Sequence, residues 1–365
     1  MKKINSLEYY TLIWFSIRAC FPELTFTIIL HMVKEDSWIS IILGTIFGIL
    51  PFLVYEKIRE KDPKETLITI NKKIFPKTGK LINIIILISC LTSAIYTFWI
   101  IIKFTNELFL YKTSNWIISL ILIIPIWYTS SKDIHIISKV SLILFYISVS
   151  FQILITFGLI SNIDINALKP ILQNTTKNIA HSSLLYIALN ISKLFFLTII
   201  PIEKIKKYSF KKNIIVYLIT NLAILNIIIA TICTFGIDLS LIYEYPAFQV
   251  LKRVKVLGIF DKVESILAVE AIFSLFIQII IIIYYIKKII EKEIIKKANK
   301  YTTILICLSL LISNNIFKTY KAEENFLNNY LIYLIYPIFI VIPIITYIKT
   351  LYIQNSKESK LQGLQ

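Results

Sequence analysis

The chain has 365 residues, of which 57% are hydrophobic, and it carries a formal net charge of +17. Its mean hydropathy of +0.74 and its 7 glycines exclude an ordinary soluble globule, so the composition predicts a polytopic membrane protein. No phosphate-binding loop, nucleophile–base arrangement or metal-ligand spacing occurs in the sequence. We therefore expect neither an enzyme nor a metal or other cofactor site.

Ten apolar runs approach the roughly 20 residues that a helix needs to cross the hydrocarbon of a membrane. In chain order they cover residues 9–30, 38–54, 82–108, 116–129, 140–160, 182–201, 213–235, 265–286, 302–317 and 331–352. The first run carries Arg18 and Glu23 and lacks a small-residue cleavage pattern, so we expect no cleaved signal peptide.

The distribution of basic residues predicts how the chain is oriented. Most of the 39 Lys and Arg residues fall at the termini and in the segments after the second, fourth, sixth and eighth runs. Cytoplasmic loops carry the excess of positive charge in membrane proteins. We therefore place both termini in the cytoplasm.

The runs divide into two halves of five, and an odd number of spans per half forces the second half to insert upside down. The long connections, residues 55–81 in the first half and 236–264 in the second, occupy matching positions on opposite faces. This pattern is typical of inverted repeats. We expect one all-α membrane domain with a first repeat at about 8–160, a second at about 180–352 and a polar tail at 353–365.

The first span of each half is the most polar. The relevant residues lie in "RACFPELT" and "IALNISKLFF" and are Arg18, Pro22, Glu23, Asn190, Ser192 and Lys193. Proline cannot donate a hydrogen bond to the preceding helical turn, so a broken first helix is predicted. Interrupted helices in matching positions indicate a transporter-type binding site. A packing kink and a lysine that extends to the interface are the plainer alternatives.

Three further polar residues fall toward the predicted external side. Lys103 and Glu107 are four residues apart on the third span, which favours a structural pair on one helical face. Glu270 lies near the external end of the eighth span, where it could form only part of the rim. Together the three residues would suit a polar vestibule that opens to the outside.

The external connection contains "YEYPAFQVLKRVKVLGIFDKVE", in which apolar and basic residues interleave as in a short helix lying against the membrane. This stretch resembles the hallmark segment of the spore germination permeases, the B subunits of nutrient germinant receptors. The resemblance rests on Tyr245, Pro246, Arg253, Val254, Gly258, Phe260, Lys262 and Glu264, and on Trp38, Gly44 and Gly48 in the second span.

The resemblance implies a LeuT-like fold with broken first and sixth helices, as in the amino acid, polyamine and organocation transporters. It implies a nutrient sensor, with an amino acid as the expected ligand, in the spore inner membrane beside a larger A subunit and a lipoprotein C subunit. The break "ACFPELT" departs from the glycine-rich break of those transporters. We therefore hypothesise that Arg18 or Lys193 supplies positive charge for a carboxylate, while Glu23 takes the ammonium group.

Two other interpretations stay open at this point. An ion-coupled amino acid transporter would use Glu23 as its coupling group, because a carboxyl at membrane depth can have a raised pKa. A scaffold with a vestigial pocket would use the same charges as an internal ion pair.

Overall fold

The computed structural model describes residues 3–19, 25–160, 163–253, 263–295, 300–313, 322 and 325–362. Throughout this part of the chain the secondary structure is helical, apart from one isolated parallel bridge between Ile4 and Ile205. The fold class is therefore all-α, as the composition predicts.

The α-helices are α1 (Ser6–Arg18), α2 (Thr25–Val33), α3 (Ser37–Lys61), α4 (Leu67–Ile74), α5 (Gly79–Leu108), α6 (Asn115–Ser130), α7 (Ile134–Ile160), α8 (Thr176–Leu189), α9 (Phe210–Ile242), α10 (Pro246–Arg253), α11 (Val263–Glu293), α12 (Lys300–Ser313) and α13 (Tyr336–Gln362). A 3₁₀ helix at Ile191–Ile199 follows α8, and a π-helix at Leu327–Ile335 leads into α13.

Seven helical segments of the described part are long and apolar enough to cross a membrane: Thr25–Lys61, Gly79–Leu108, Ile134–Thr156, Thr176–Ile199, Phe210–Ile242, Ser265–Glu293 and Asn329–Gln354. Two more, α6 and α12, are apolar but shorter. Each of the ten predicted runs coincides at least in part with helix. The protein therefore has the helices of a multi-pass membrane protein.

The first predicted run does not form one continuous helix. Its first part, α1, has 13 residues and so is about 20 Å long, well short of the 30 Å of membrane hydrocarbon. Every residue from Thr11 to Arg18 is buried, and α1 packs against α7, α9, α11 and the 3₁₀ helix. A helix that is buried on all sides belongs to the centre of the bundle.

Two glycines of α3 allow it to approach the sixth predicted run closely. A Cβ atom at Gly48 would lie 2.8 Å from the Ile191 side chain, and one at Gly44 would lie 2.7 Å from the Tyr186 ring. Small residues let membrane helices pack backbone to backbone in this way. The spacing of Gly44 and Gly48 therefore fixes α3 against α8 and the 3₁₀ helix.

The amphipathic helix of the external connection, α10, packs on protein. Its Phe248 and Leu251 are buried, and it contacts α7, α9 and α11. The Phe104 ring of α5 lies 5.0 Å from Phe248, centroid to centroid. The neighbouring spans therefore cover the apolar side of this helix. Val254, Gly258, Phe260 and Lys262 lie outside the described residues.

Candidate functional site

The first interruption of a predicted span follows Arg18. This arginine is the last residue of α1, Ala19 is no longer helical, and the next described helix begins at Thr25. Pro22 and Glu23, which the sequence predicts to cause and to line the break, lie outside the described residues. The chain thus carries a buried cation at the end of a central helix, next to the predicted break.

Arg18 makes a two-point ion pair with Glu270 of α11. Its Nε donates to Glu270 Oε1 at 2.6 Å, and its Nη2 donates to Glu270 Oε2. Both residues are 1% exposed. Bidentate arginine–carboxylate pairs are among the strongest hydrogen-bonded contacts in proteins. Each charge compensates the other in the protein interior, where burying either charged group alone would cost free energy.

Two residues hold this ion pair in position. Ser148 of α7 donates its hydroxyl to Glu270 Oε1 at 2.7 Å and accepts a hydrogen bond from Trp14 Nε1 at 3.1 Å. The Arg18 guanidinium also lies over the Trp14 ring, with its Cζ 5.2 Å from the ring centroid. The pair therefore joins three helices, α1, α7 and α11, through side chains that have fixed partners.

The second interruption lies in the sixth predicted run, where α8 ends at Leu189 and the backbone continues as a 3₁₀ helix from Ile191. Asn190 lies at the junction and is fully buried. Neither its side-chain nitrogen nor its oxygen has a hydrogen-bond partner among the described residues. Runs of 3₁₀ helix longer than three or four residues are uncommon, and mid-helix ones often mark functional hinges.

Ser192 and Lys193 follow within the same 3₁₀ helix, and both are buried, at 0% and 2% exposure. Ser192 donates its hydroxyl to the carbonyl of Ala188, one turn earlier. All the sequence-predicted site residues that the structure describes in the first and sixth spans are thus in the interior. This is the position that a binding site at two helix breaks requires.

The segment before α1 and the segment after the 3₁₀ helix are joined by backbone hydrogen bonds. The backbone of Ile4 donates to Lys204 O and accepts from Lys206 N, each at 2.8 Å. Five residues further along, Arg59 bridges the two segments, because it donates to Tyr9 Oη at 2.6 Å and to Ile200 O at 2.8 Å. Arg59 therefore links α1 to the residue that follows the 3₁₀ helix.

The two interrupted segments pack against each other. α1 contacts the 3₁₀ helix, and every residue from Ile191 to Ile199 is buried.

A small cavity lies between α2, α3, α8 and α9, beside the start of α2. Its volume is about 10 Å³, which is room for one water molecule. The lining residues are Thr25, Phe26, Ile29, Ile41, Tyr186, Ile224 and Ile228. The hydroxyl of Thr25 is buried here and has no partner in the described part of the chain. A ligand larger than water would require these helices to separate.

The three residues predicted for a vestibule have different surroundings. Lys103 Nζ donates to Glu244 Oε1 at 2.5 Å, and Thr27 of α2 donates to Glu244 O at 2.7 Å. Glu107 is exposed, whereas Glu270 is buried with Arg18 and does not lie at a rim. Glu244, which precedes the Tyr-Pro pair, was missed by the sequence reasoning, although its place beside that motif was a usable signal.

A second buried charge cluster was also missed. Glu56 and Arg59 fall in what the sequence presents as a loop, but α3 continues to Lys61 and leaves both residues 1% exposed. Arg59 Nη1 donates to Glu56 Oε1 at 2.6 Å, and Tyr208 and Asn213 donate to Glu56 Oε2 at 2.6 and 2.7 Å. The i, i+3 spacing of the two charges was the available signal.

Comparison with known proteins identifies the family. Residues 8–326 match the spore permease family profile, which is described as "Spore germination protein". A curated relative, Spore germination protein YndE of Bacillus subtilis (strain 168), is 22% identical over 254 residues, which cover 69% of this chain and 70% of YndE. The chain therefore belongs to the spore germination permease family.

Proposed function

We propose that this protein is the membrane subunit of a spore nutrient-germinant receptor, which binds a small nutrient in a transporter-like pocket and triggers germination. An amino acid is the proposed nutrient. The subunit would lie in the spore inner membrane with both termini in the cytoplasm, and would act with A and C subunits. Its membership of the germination permease family and its multiple apolar helices support this proposal.

The proposed fold is LeuT-like: ten membrane helices as two inverted five-helix repeats, with the first and sixth helices broken. Helix occurs in each of the ten predicted runs, and the interruptions after Arg18 and at Asn190 fall in the first and sixth of them. These coincidences support the repeat without depending on sequence similarity between the halves.

One observation carries the functional proposal: buried polar side chains lie at both interruptions, where membrane helices normally bury apolar ones. An arginine ends α1, and an amide without a described partner begins the 3₁₀ helix. A buried, unsatisfied amide costs free energy, so it persists where a ligand satisfies it or where a function requires it. Arg18 and Lys193 would contact the nutrient's carboxylate, and Asn190 and Ser192 would hydrogen-bond to it.

The triggering mechanism is a population shift. The cavity beside α2 has room for about one water, so a nutrient could enter there only if the surrounding helices separate. A nutrient that binds only a more open arrangement of the broken helices would increase the population of that arrangement. The A subunit would respond to the change in helix positions.

The experiment reconstitutes the full-length protein, with its A and C subunits, in liposomes. A panel of twenty radiolabelled amino acids is applied, and both saturable binding and accumulation inside the liposomes are measured. Arg18→Gln is the test variant, and Lys211→Gln, on the exposed start of α9, is the control for removal of one positive charge.

Saturable binding without accumulation, lost in Arg18→Gln and kept in Lys211→Gln, is the result that the receptor proposal requires. Accumulation driven by a proton or sodium gradient would instead identify an ion-coupled secondary amino acid transporter. Absence of both binding and accumulation for every amino acid would overturn the proposed ligand class and pocket.

A further inference from the structure

The Arg18–Glu270 pair restricts which ligands can enter the site. In the described conformation the two charges satisfy each other, and both side chains are almost completely enclosed. A ligand that takes one partner leaves the other buried and uncompensated, which is strongly unfavourable in a protein interior. The cost depends on the ligand's own charges, so the pair acts as a filter.

Four classes of small nutrient behave differently at this filter. An anion without a cationic group would replace Glu270 on Arg18 and leave the Glu270 carboxylate unpaired. A cation without an acidic group would take the Glu270 carboxylate away from Arg18 and offer the guanidinium no negative charge in exchange. An uncharged molecule cannot replace a two-point ion pair with bonds of similar strength. A zwitterion can satisfy both groups at once.

We propose that a zwitterionic nutrient, an α-amino acid with free carboxylate and ammonium groups, inserts between Arg18 and Glu270. Its carboxylate takes the place of Glu270 on the guanidinium, and its ammonium group is held by the Glu270 carboxylate. This inference rests on the proposed function and assigns the ammonium-binding role to Glu270. Four alternating charges then replace two, and none is left buried without a partner.

The neighbours of the pair are suited to this exchange. Ser148 donates to Glu270 Oε1, so the carboxylate keeps a fixed hydrogen bond after it leaves the guanidinium. Trp14 holds Ser148 by its indole N–H and lies under the guanidinium with its ring. Ser148 and Trp14 are thus positioning residues. They hold the Glu270 carboxylate and the Arg18 guanidinium in place whether or not a ligand is bound.

The test uses the full-length protein together with its A and C subunits in nanodiscs and measures the thermal unfolding midpoint as a function of ligand concentration, because a ligand that binds the folded state raises it. Three probes are compared: a mixture of the twenty amino acids, the mixture of their N-acetyl derivatives, which lack the ammonium group, and the mixture of their amides, which lack the carboxylate. The variants are Glu270→Gln and, as a matched control, Glu65→Gln in the loop after α3, where Glu65 pairs with Lys73 at 3.1 Å.

The wild-type protein and Glu65→Gln should bind the free amino acids with an apparent affinity at least about tenfold higher than that for either derivative mixture. In Glu270→Gln no carboxylate is left unpaired, so the N-acetyl mixture should bind within about threefold of the free mixture. Apparent affinities are compared within each variant, so a change in overall stability does not affect the ratio.

An unchanged preference for free amino acids in Glu270→Gln would overturn the inference and leave the proposed function in place. A wild-type protein that responds equally to free and N-acetylated amino acids would also overturn it, even if the variant fails to fold. A wild-type protein that responds to none of the mixtures would overturn the proposed function and this inference with it.

Discussion

The guanidinium of Arg18 and the carboxylate of Glu270, 252 residues apart in the chain, form a two-point ion pair in the interior of the helix bundle. The contact joins the end of the first helix to the eighth predicted span. It therefore couples the site of the first interruption to a helix from the other half of the chain.

Removing one member of this pair should destabilise the protein more than removing both. Arg18→Gln should lower the free energy of unfolding by about 3–5 kcal/mol, because the Glu270 charge remains buried without its partner. In the double variant Arg18→Gln/Glu270→Gln, no charge is orphaned, so much of this loss should be recovered. Unfolding in nanodiscs, analysed as a double-mutant cycle, measures the difference. A double variant that is less stable than either single variant would contradict the expectation.

Asn190→Leu should increase stability and abolish the nutrient response. The substitution replaces an amide without a described partner by an apolar group of similar size, which should add about 1 kcal/mol to the free energy of unfolding. The thermal midpoint gives the stability, and binding of labelled amino acids gives the function. Loss of stability would show that the amide has a partner in the native protein; retained binding would remove Asn190 from the site.

Gly48→Ala should destabilise the contact between α3 and the 3₁₀ helix. The added Cβ would lie 2.8 Å from both the Ile191 side chain and Tyr217 Oη, so the helices must shift, at a cost of about 1–3 kcal/mol. Ile46→Ala, at a position 54% exposed on the same helix, is the control and should change stability little. The unfolding midpoints of the two variants are compared, and equal values would rule out the close approach of α3 to the 3₁₀ helix at Gly48.

Tyr208→Phe should weaken the buried Glu56–Arg59 cluster. Tyr208 donates to Glu56 Oε2 at 2.6 Å, and a hydrogen bond to a charged group contributes about 1.5–3 kcal/mol. Tyr352→Phe removes a hydroxyl at a position that is 74% exposed and should have no measurable effect. Denaturant unfolding of the two variants provides the comparison. A Tyr208→Phe protein as stable as the control would mean that Tyr208 does not support Glu56.

The sequence alone was sufficient for features that depend on local composition. Apolar runs of membrane length predicted the helices, since hydrocarbon accepts only segments whose backbone hydrogen bonds are satisfied internally. The polar residues within the first and sixth runs indicated where helices would be interrupted, and the structure places an interruption after Arg18 and another at Asn190. The motifs around Tyr245 and Gly44 indicated the family.

The tertiary structure decided the partners of the buried charges. The partner of Arg18 is set by how α1 packs on α7 and α11, and no local pattern encodes that contact. The burial of Glu56 and Arg59 likewise depends on α3 extending past its apolar run into a site formed by Tyr9, Tyr208 and Asn213. Hydrophobicity determines which segments enter the membrane, whereas the pairing of charges depends on side chains that meet only after distant helices have packed.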